Sequence, residues 1–299
     1  MTAKETQSKT FWQVWWLAIR PKTLPAAASG VIAGTALAVY DGVFKPLPAL
    51  AALLVGLLLQ IGSNLANDVF DFERGTDTPE RLGPLRVTQA GLLTPRQVKL
   101  GLAVVIGLAG LLGLYLTWEA GWPVLLIGLA AILSAVAYTG GPLPYGYYGL
   151  GDLFVFLFFG LAAVVGTYYV QAGRVTPLAW WTAVPIGLLV VNILVVNNLR
   201  DIENDRKGNK RTLAVRLGVH GSRLQYTILL GVTYLLVLVL ALTGVYPWLA
   251  MLTWLSLPLA GRLLHAVWTM QGRPLNAALA GSGQLAFFFS LLFFIGMLF

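Results

Sequence analysis

Apolar runs of about 18 or more residues, enough to cross roughly 30 Å of hydrocarbon as helix, recur at residues 23–41, 47–66, 97–118, 121–138, 150–171, 176–198, 224–243, 247–264 and 277–298. The pattern predicts an all-α membrane protein, a bundle of about nine transmembrane helices around a central cavity. The two runs flanking Tyr246 and Pro247 are joined so tightly that they must form a helical hairpin. Ahead of the first run, Phe11-Trp12-Gln13-Val14-Trp15-Trp16 reads as a short interfacial helix with an aromatic belt. Residues 1–22 are therefore expected to be a cytoplasmic segment lying on the membrane, not a cleaved signal peptide. No Pro/Ser-rich linker or shift in composition divides the remainder, so residues 1–299 are expected to form one domain.

Composition agrees with the pattern: 58% of residues are hydrophobic and 11% charged, against about one quarter charged in soluble domains. Cysteine is absent, which removes disulfides, thiolate metal sites and cysteine nucleophiles, and the two histidines, His220 and His265, do not make a histidine metal site. A formal charge of +8 would fit a nucleic-acid partner in a soluble chain. Its placement points to the lipid bilayer instead, with no nucleic acid. Counted on alternate sides of the helical runs, only Lys45 and Arg174 of the 20 basic residues fall on the side away from the N-terminus. Basic residues are retained in the cytoplasm, so the N-terminus is expected there. The expected location is a bacterial inner (cytoplasmic) membrane.

The acids are concentrated in two places. Asp68, Asp71, Glu73, Asp77 and Glu80 follow the second run, and Asp201, Glu203 and Asp205 follow the sixth, on the same side. On continuing helices Asn64, Asn67, Asp68 and Asp71 fall at i, i+3, i+4 and i+7, and Asn197, Asp201 and Asp205 at i, i+4 and i+8. Each set is a single stripe. A lone Asp or Asn at a helix end is ordinary membrane-surface polarity. Two stripes running back into apolar helices are not, because polar groups in hydrocarbon are costly unless they face a polar interior. Carboxylate and amide oxygens suit Mg²⁺, which keeps waters and shares its ligands with substrate phosphates. Cations follow each stripe, Arg81 and Arg86 after the first and Lys207, Lys210 and Arg211 after the second, placed to neutralise the remaining phosphate oxygens. Arg96, Lys99, Arg216 and Arg223 are read as orientation signals only. A transporter is the alternative of a different class, but its ligands should sit near the bilayer midplane on broken helices. Here they gather at one membrane face.

Several motifs together, Arg20-Pro-Lys22-Thr-Leu-Pro25, Asn64–Asp77, Arg81-Leu-Gly-Pro-Leu-Arg86, Tyr138-Thr-Gly-Gly-Pro142, Gly149-Leu-Gly-Asp152 and Asn197–Gly218, resemble the UbiA-type intramembrane prenyltransferases. Within that family they are most similar to the branch that prenylates 1,4-dihydroxy-2-naphthoate in menaquinone synthesis. The similarity spans nearly the whole chain. It implies that Asn67 and Asp71, with Asp68 and Asp77 nearby, supply metal ligands from the first motif, and Asp201 and Asp205 from the second, with Asn197 on the same stripe. Two positions depart from the family pattern. The third acid of the first motif falls at Gly75, the nearest carboxylate being Asp77, and a Tyr-x-x-x-Lys element beginning at Tyr138 ends in Pro142.

The resemblance further implies two Mg²⁺ ions, a polyprenyl diphosphate donor and an aromatic hydroquinone acid as acceptor, which is attacked at its carboxyl-bearing carbon and loses carbon dioxide. Asp71, Asp201, Asp205 and Tyr138 are the expected catalytic groups. Tyr138, Tyr145 and Tyr147 are candidates for stabilising an allylic cation over their ring faces. Asn64 is a candidate substrate contact, and Lys22 or Arg20 is placed to hold the acceptor carboxylate. The isoprenoid tail requires a long apolar channel, opening sideways to lipid. Other branches of the family, acting on 4-hydroxybenzoate, homogentisate or a tetrapyrrole, are the near alternatives.

Overall fold

The computed structural model describes residues 9–76 and 81–299, which contain helices and no strand. A short helix α1 (Phe11–Ile19) precedes α2 (Leu24–Tyr40), α3 (Pro46–Glu73), α4 (Pro95–Ala120) and α5 (Trp122–Ala137). There follow α6 (Gly151–Ala172), α7 (Pro177–Lys207), α8 (Leu213–Leu242), α9 (Trp248–Thr269) and α10 (Leu275–Met297). Among the described residues eight helices are long and apolar enough to cross a membrane, α1 and α2 counting as one, and α5 is a shorter apolar helix of 16 residues. Each expected run thus has its helix, and the hairpin at Tyr246–Pro247 joins α8 to α9.

Three helices outlast their apolar runs. α3 continues to Glu73, α7 to Lys207, and α8 begins at Leu213 and bends at Gly218, which has φ of 71°. The extra turns are polar, and on α3 and α7 they face an internal cavity rather than lipid. α1 exposes Phe11, Trp12 and Trp16 and buries Val14 and Ala18, as an interfacial helix should. It ends at Arg20, whose φ of 56° is the left-handed region that a non-glycine residue seldom adopts.

Without a hydrophobic drive between helices in lipid, small residues set the close crossings. A Cβ on Gly30 of α2 would lie 2.5 Å from that of Ala163 on α6, and one on Gly160 of α6 would lie 2.7 Å from the Cα of Gly187 on α7. Gly160 sits in a π-helical stretch, Phe156–Ala162, that re-aims the side chains of α6. α7 runs through the main core, packing Ile186, Leu189 and Val196 among Tyr226 of α8 and Phe289 and Phe293 of α10. The buried hydroxyls there are paired, Tyr226 with Ser282 at 3.0 Å and Thr182 with Tyr246 at 3.1 Å. A second core joins Val14 and Ala18 to Leu65, Val69, Val87 and Val98.

Candidate active site

The last turns of α3 and α7 open onto one cavity of about 390 Å³. Asn67 and Asp71 line it from α3, and Asn197, Asp201 and Asp205 from α7, joined by Arg20, Arg81, Arg86 and Lys210. The two stripes therefore converge. α3 keeps the same face to the cavity from Asp71 back to Ala52, a length of about 28 Å at 1.5 Å per residue. The cavity is thus a passage with one charged end and one apolar end.

Asp71 is the buried hub of the charged end. Its Oδ2 lies 2.6 Å from an Arg86 guanidinium nitrogen and its Oδ1 accepts from Lys210 Nζ at 3.0 Å. Tyr147 donates its hydroxyl to the same Oδ1, while its ring carries Lys210 at 4.5 Å and Arg74 at 5.6 Å. Burial, with the neighbouring Asp71 charge, raises the Tyr147 phenol above its ordinary range, so it stays a neutral donor. Arg86 follows the first motif and Lys210 the second, so one carboxylate ties both motif loops together.

Asp201 is held differently. The fully buried guanidinium of Arg200 donates Nε to Asp201 Oδ1 at 2.9 Å, Nη2 to Asn197 Oδ1 at 2.9 Å and Nη1 to Asn276 Oδ1 of α10 at 2.7 Å. Sequence reasoning counted Arg200 only as an orientation signal. The clue available was its place three residues after Asn197 and beside Asp201 on a helix. Asp205 lines the cavity, and its carboxylate accepts no hydrogen bond among the described residues.

Other candidate residues are placed differently. Asp68 does not line the cavity: its Oδ2 and Oδ1 accept the backbone N–H groups of Val87 and Thr88, each at 3.0 Å, and Arg20 lies 3.9 Å away. One residue beyond Asn67, it is turned about 100° around the helix from the Asn67–Asp71 face. Lys22, Lys207 and Arg211 are exposed and outside the cavity lining. The left-handed turn at Arg20 brings Arg20 inward in place of Lys22. Arg211 contributes its backbone N–H, which donates to the Tyr147 carbonyl at 2.8 Å. Asn64 lines the cavity, but its amide donates to the Ile19 carbonyl and to Thr23 Oγ1, both at 2.9 Å, fastening α3 to the start of α2. Asp77 lies outside the described residues. Pro142 is exposed, and the cations that reach Asp71 are Arg86 and Lys210.

An aromatic row leads inward from the charged end. Tyr138 meets Tyr145 edge-on at 5.4 Å, Tyr145 stacks on Phe154 at 4.0 Å, and Phe154 on Phe158 at 6.3 Å, all lining the cavity. Tyr145 is anchored on Ser134 Oγ at 2.8 Å. Burial pushes its phenol up to about 12, so the ring stays uncharged.

A helical membrane bundle enclosing one passage, charged at one end and apolar at the other, is built to act on an amphiphile. The UbiA prenyltransferase family model matches residues 27–292, and the chain belongs to that family. It is a prenyltransferase. Over 297 residues it is 38% identical to the 1,4-dihydroxy-2-naphthoate octaprenyltransferase of Haemophilus influenzae, with 96% of each chain covered. It is 43% identical over 249 residues to the Escherichia coli protein of the same name, covering 80% of this chain and 81% of the relative. The fold is shared with the apo structure of a UbiA homolog from Aeropyrum pernix K1, at a TM-score of 0.67 and 14% identity over 99% of this chain and 98% of that one. A UbiA homolog from Archaeoglobus fulgidus bound to GPP and Mg²⁺ superposes with a TM-score of 0.67 at 15% identity, over 95% of this chain and 99% of the other.

Proposed function

We propose that the enzyme transfers a polyprenyl group from its diphosphate to 1,4-dihydroxy-2-naphthoate, releasing diphosphate and carbon dioxide and forming the demethylated quinol of menaquinone synthesis. The observation that carries this reading is the convergence of the α3 and α7 carboxylates, with Arg86 and Lys210, on the charged mouth of an apolar passage. The relatives named for that acceptor, nearly full-length in one case, support the choice of naphthoate.

The residues suit Mg²⁺. The cavity mouth offers carboxylate and amide oxygens from both α3 and α7, the donor type that suits an ion completing its shell with waters and substrate phosphates. Asp71, Asp201 and Asp205, with the amide oxygens of Asn67 and Asn197, would hold two such ions. Asp205, whose carboxylate accepts no hydrogen bond among the described residues, is the ligand with least to give up. Bound Mg²⁺ supplies Lewis-acid stabilisation of the leaving diphosphate. Arg86 and Lys210, paired with Asp71 at the mouth of the cavity, would supply positive charge to the phosphate oxygens. The faces of Tyr138, Tyr145 and Phe154 border the space next to the acids, where an allylic carbon gains positive charge. Arg20, turned inward at the cavity rim, holds the acceptor carboxylate. The charged end faces the cytoplasm.

The test supplies purified enzyme with a labelled polyprenyl diphosphate and 1,4-dihydroxy-2-naphthoate, 4-hydroxybenzoate or homogentisate. Transfer to the naphthoate with matching release of carbon dioxide is expected, lost on chelation and restored by Mg²⁺. Asp71→Asn and Asp201→Asn should each lower turnover on the order of a hundredfold or more, the rate equivalent of several kcal/mol of charge stabilisation. Normal turnover in either variant removes that residue from the metal set, and preference for another acceptor removes the naphthoate.

A further inference from the structure

Asn276, on the first turn of α10, belongs to neither acidic stripe, yet its one amide touches both halves of the charged end. Its Oδ1 accepts from Arg200 Nη1 at 2.7 Å, and its Nδ2 donates to the Leu82 carbonyl at 2.9 Å. The Arg200 side chain has no exposed surface, and its remaining hydrogen bonds go to Asn197 and Asp201 on its own helix. Asn276 thus ties this guanidinium to a second helix and to a loop. That loop carries two of the cavity cations, Arg81 and Arg86. Beyond Arg86 it is held by Asp68, through the N–H groups of Val87 and Thr88. Next to Arg81 it is held at Leu82 and Gly83. A Cβ on Gly83 would lie 2.9 Å from Arg200 Nη2 and 3.1 Å from Arg81 Nη2. Gly83 does not adopt a positive φ, so what the position needs is the missing side chain, which lets the loop rest against the Arg200 guanidinium.

Resting on the donor assigned above, we propose that Asn276 is a positioning residue for the diphosphate: through the Leu82 carbonyl it sets the place of Arg81 in the cavity, with Arg200 as the platform. An arginine on an untethered loop gives up conformational freedom each time it grips a phosphate, and a held loop has already lost it. Arg86 has its own anchor in Asp68, so the loss of Asn276 falls on Arg81. Asp201 keeps its bonds to Arg200 within α7 when Asn276 is removed, so the effect is on donor binding and not on the acids of the second motif.

The experiment uses the absence of cysteine. A nitroxide on Leu85→Cys, an exposed position of the loop, reports loop mobility in the enzyme without donor or metal, and the donor KM is measured in parallel on unlabelled protein. Asn276→Ala and Gly83→Ala reach the contact from opposite sides, one by deleting the amide and the other by pushing the loop off Arg200. Each should sharpen the nitroxide spectrum and raise the donor KM on the order of tenfold, the worth of one hydrogen bond to a charged group, with kcat and the acceptor KM little changed. In an Arg81→Gln background the further rise from Asn276→Ala should vanish, because residues acting through one contact are not additive. A residue that only packs α10 would keep its full effect there. If Asn276→Ala fails to fold, Gly83→Ala decides by the same two readouts. An unchanged spectrum, or a rise in KM that persists in full beside Arg81→Gln, overturns the proposal. If the unmodified enzyme uses no prenyl diphosphate, the donor assignment falls, and the spectrum still decides whether Asn276 holds the loop.

Discussion

Asp68 spends both carboxylate oxygens on the N–H groups of Val87 and Thr88, while Asp71, less than a turn further along α3, faces Arg86 and Lys210 in the cavity. Asp68 therefore fixes the turn that carries Arg86, and its loss should act through Arg86. In Asp68→Asn an amide NH₂ faces a buried N–H, at a cost of about 1–3 kcal/mol for the donor left unsatisfied. We expect a higher KM for the donor diphosphate with the half-saturating Mg²⁺ concentration unchanged, whereas Asp71→Asn shifts the Mg²⁺ requirement. An equal Mg²⁺ shift in both variants would return Asp68 to the metal ligands. Helical spacing alone made Asn67, Asp71, Asn197, Asp201 and Asp205 legible in the sequence, since residues four apart share a face. Lys22 was chosen together with Arg20 because the inward turn depends on a left-handed backbone at Arg20 that no residue-type preference announces. Arg200 was missed because its burial is created by Asn276, 76 residues away on α10.

At the scale of helices, hydropathy located every span, since a bilayer of fixed thickness demands a run of fixed length. It stopped short at the charged ends of α3 and α7, where a polar turn facing a cavity looks like the end of a helix. Neither the π-helical stretch in α6 nor the bend at Gly218 was legible, both being settled by what packs beside them. The stretch matters because it seats Gly160 against α7 while Phe158 and Phe159 face the passage. Gly160→Ala must push α6 away from α7, since the new Cβ would lie 2.7 Å from Gly187 Cα and 3.1 Å from the Ala183 carbonyl. Overpacking of this kind costs about 1–3 kcal/mol. A melting temperature in detergent lowered by several degrees is expected, with Gly107→Ala on exposed α4 as the comparison. Equal melting of the two variants would mean that the α6–α7 crossing is not tight.

At the scale of the whole molecule, a diphosphate cannot cross hydrocarbon, so the donor must arrive from the side on which the Asp71 end opens. That side is set by orientation, which the bundle alone does not define. The bias of basic residues supports the cytoplasmic orientation proposed above: Lys45 and Arg174 are the only two of 20 assigned to the side away from the acids. The absence of cysteine allows a clean measurement, because a single introduced thiol is the only one present. Gln271 lies exposed between α9 and α10, next to the segment whose Asn276 contacts Arg200 and the Leu82 carbonyl, and so marks the acid end. Val175, exposed between α6 and α7, marks the other. In cells, a membrane-impermeant maleimide should label Val175→Cys from outside and spare Gln271→Cys, and inside-out vesicles should reverse the result. The opposite pattern would place the acids outside the cell, where a donor made in the cytoplasm could not reach them, and the orientation proposed here would fall while the geometry of the site stood.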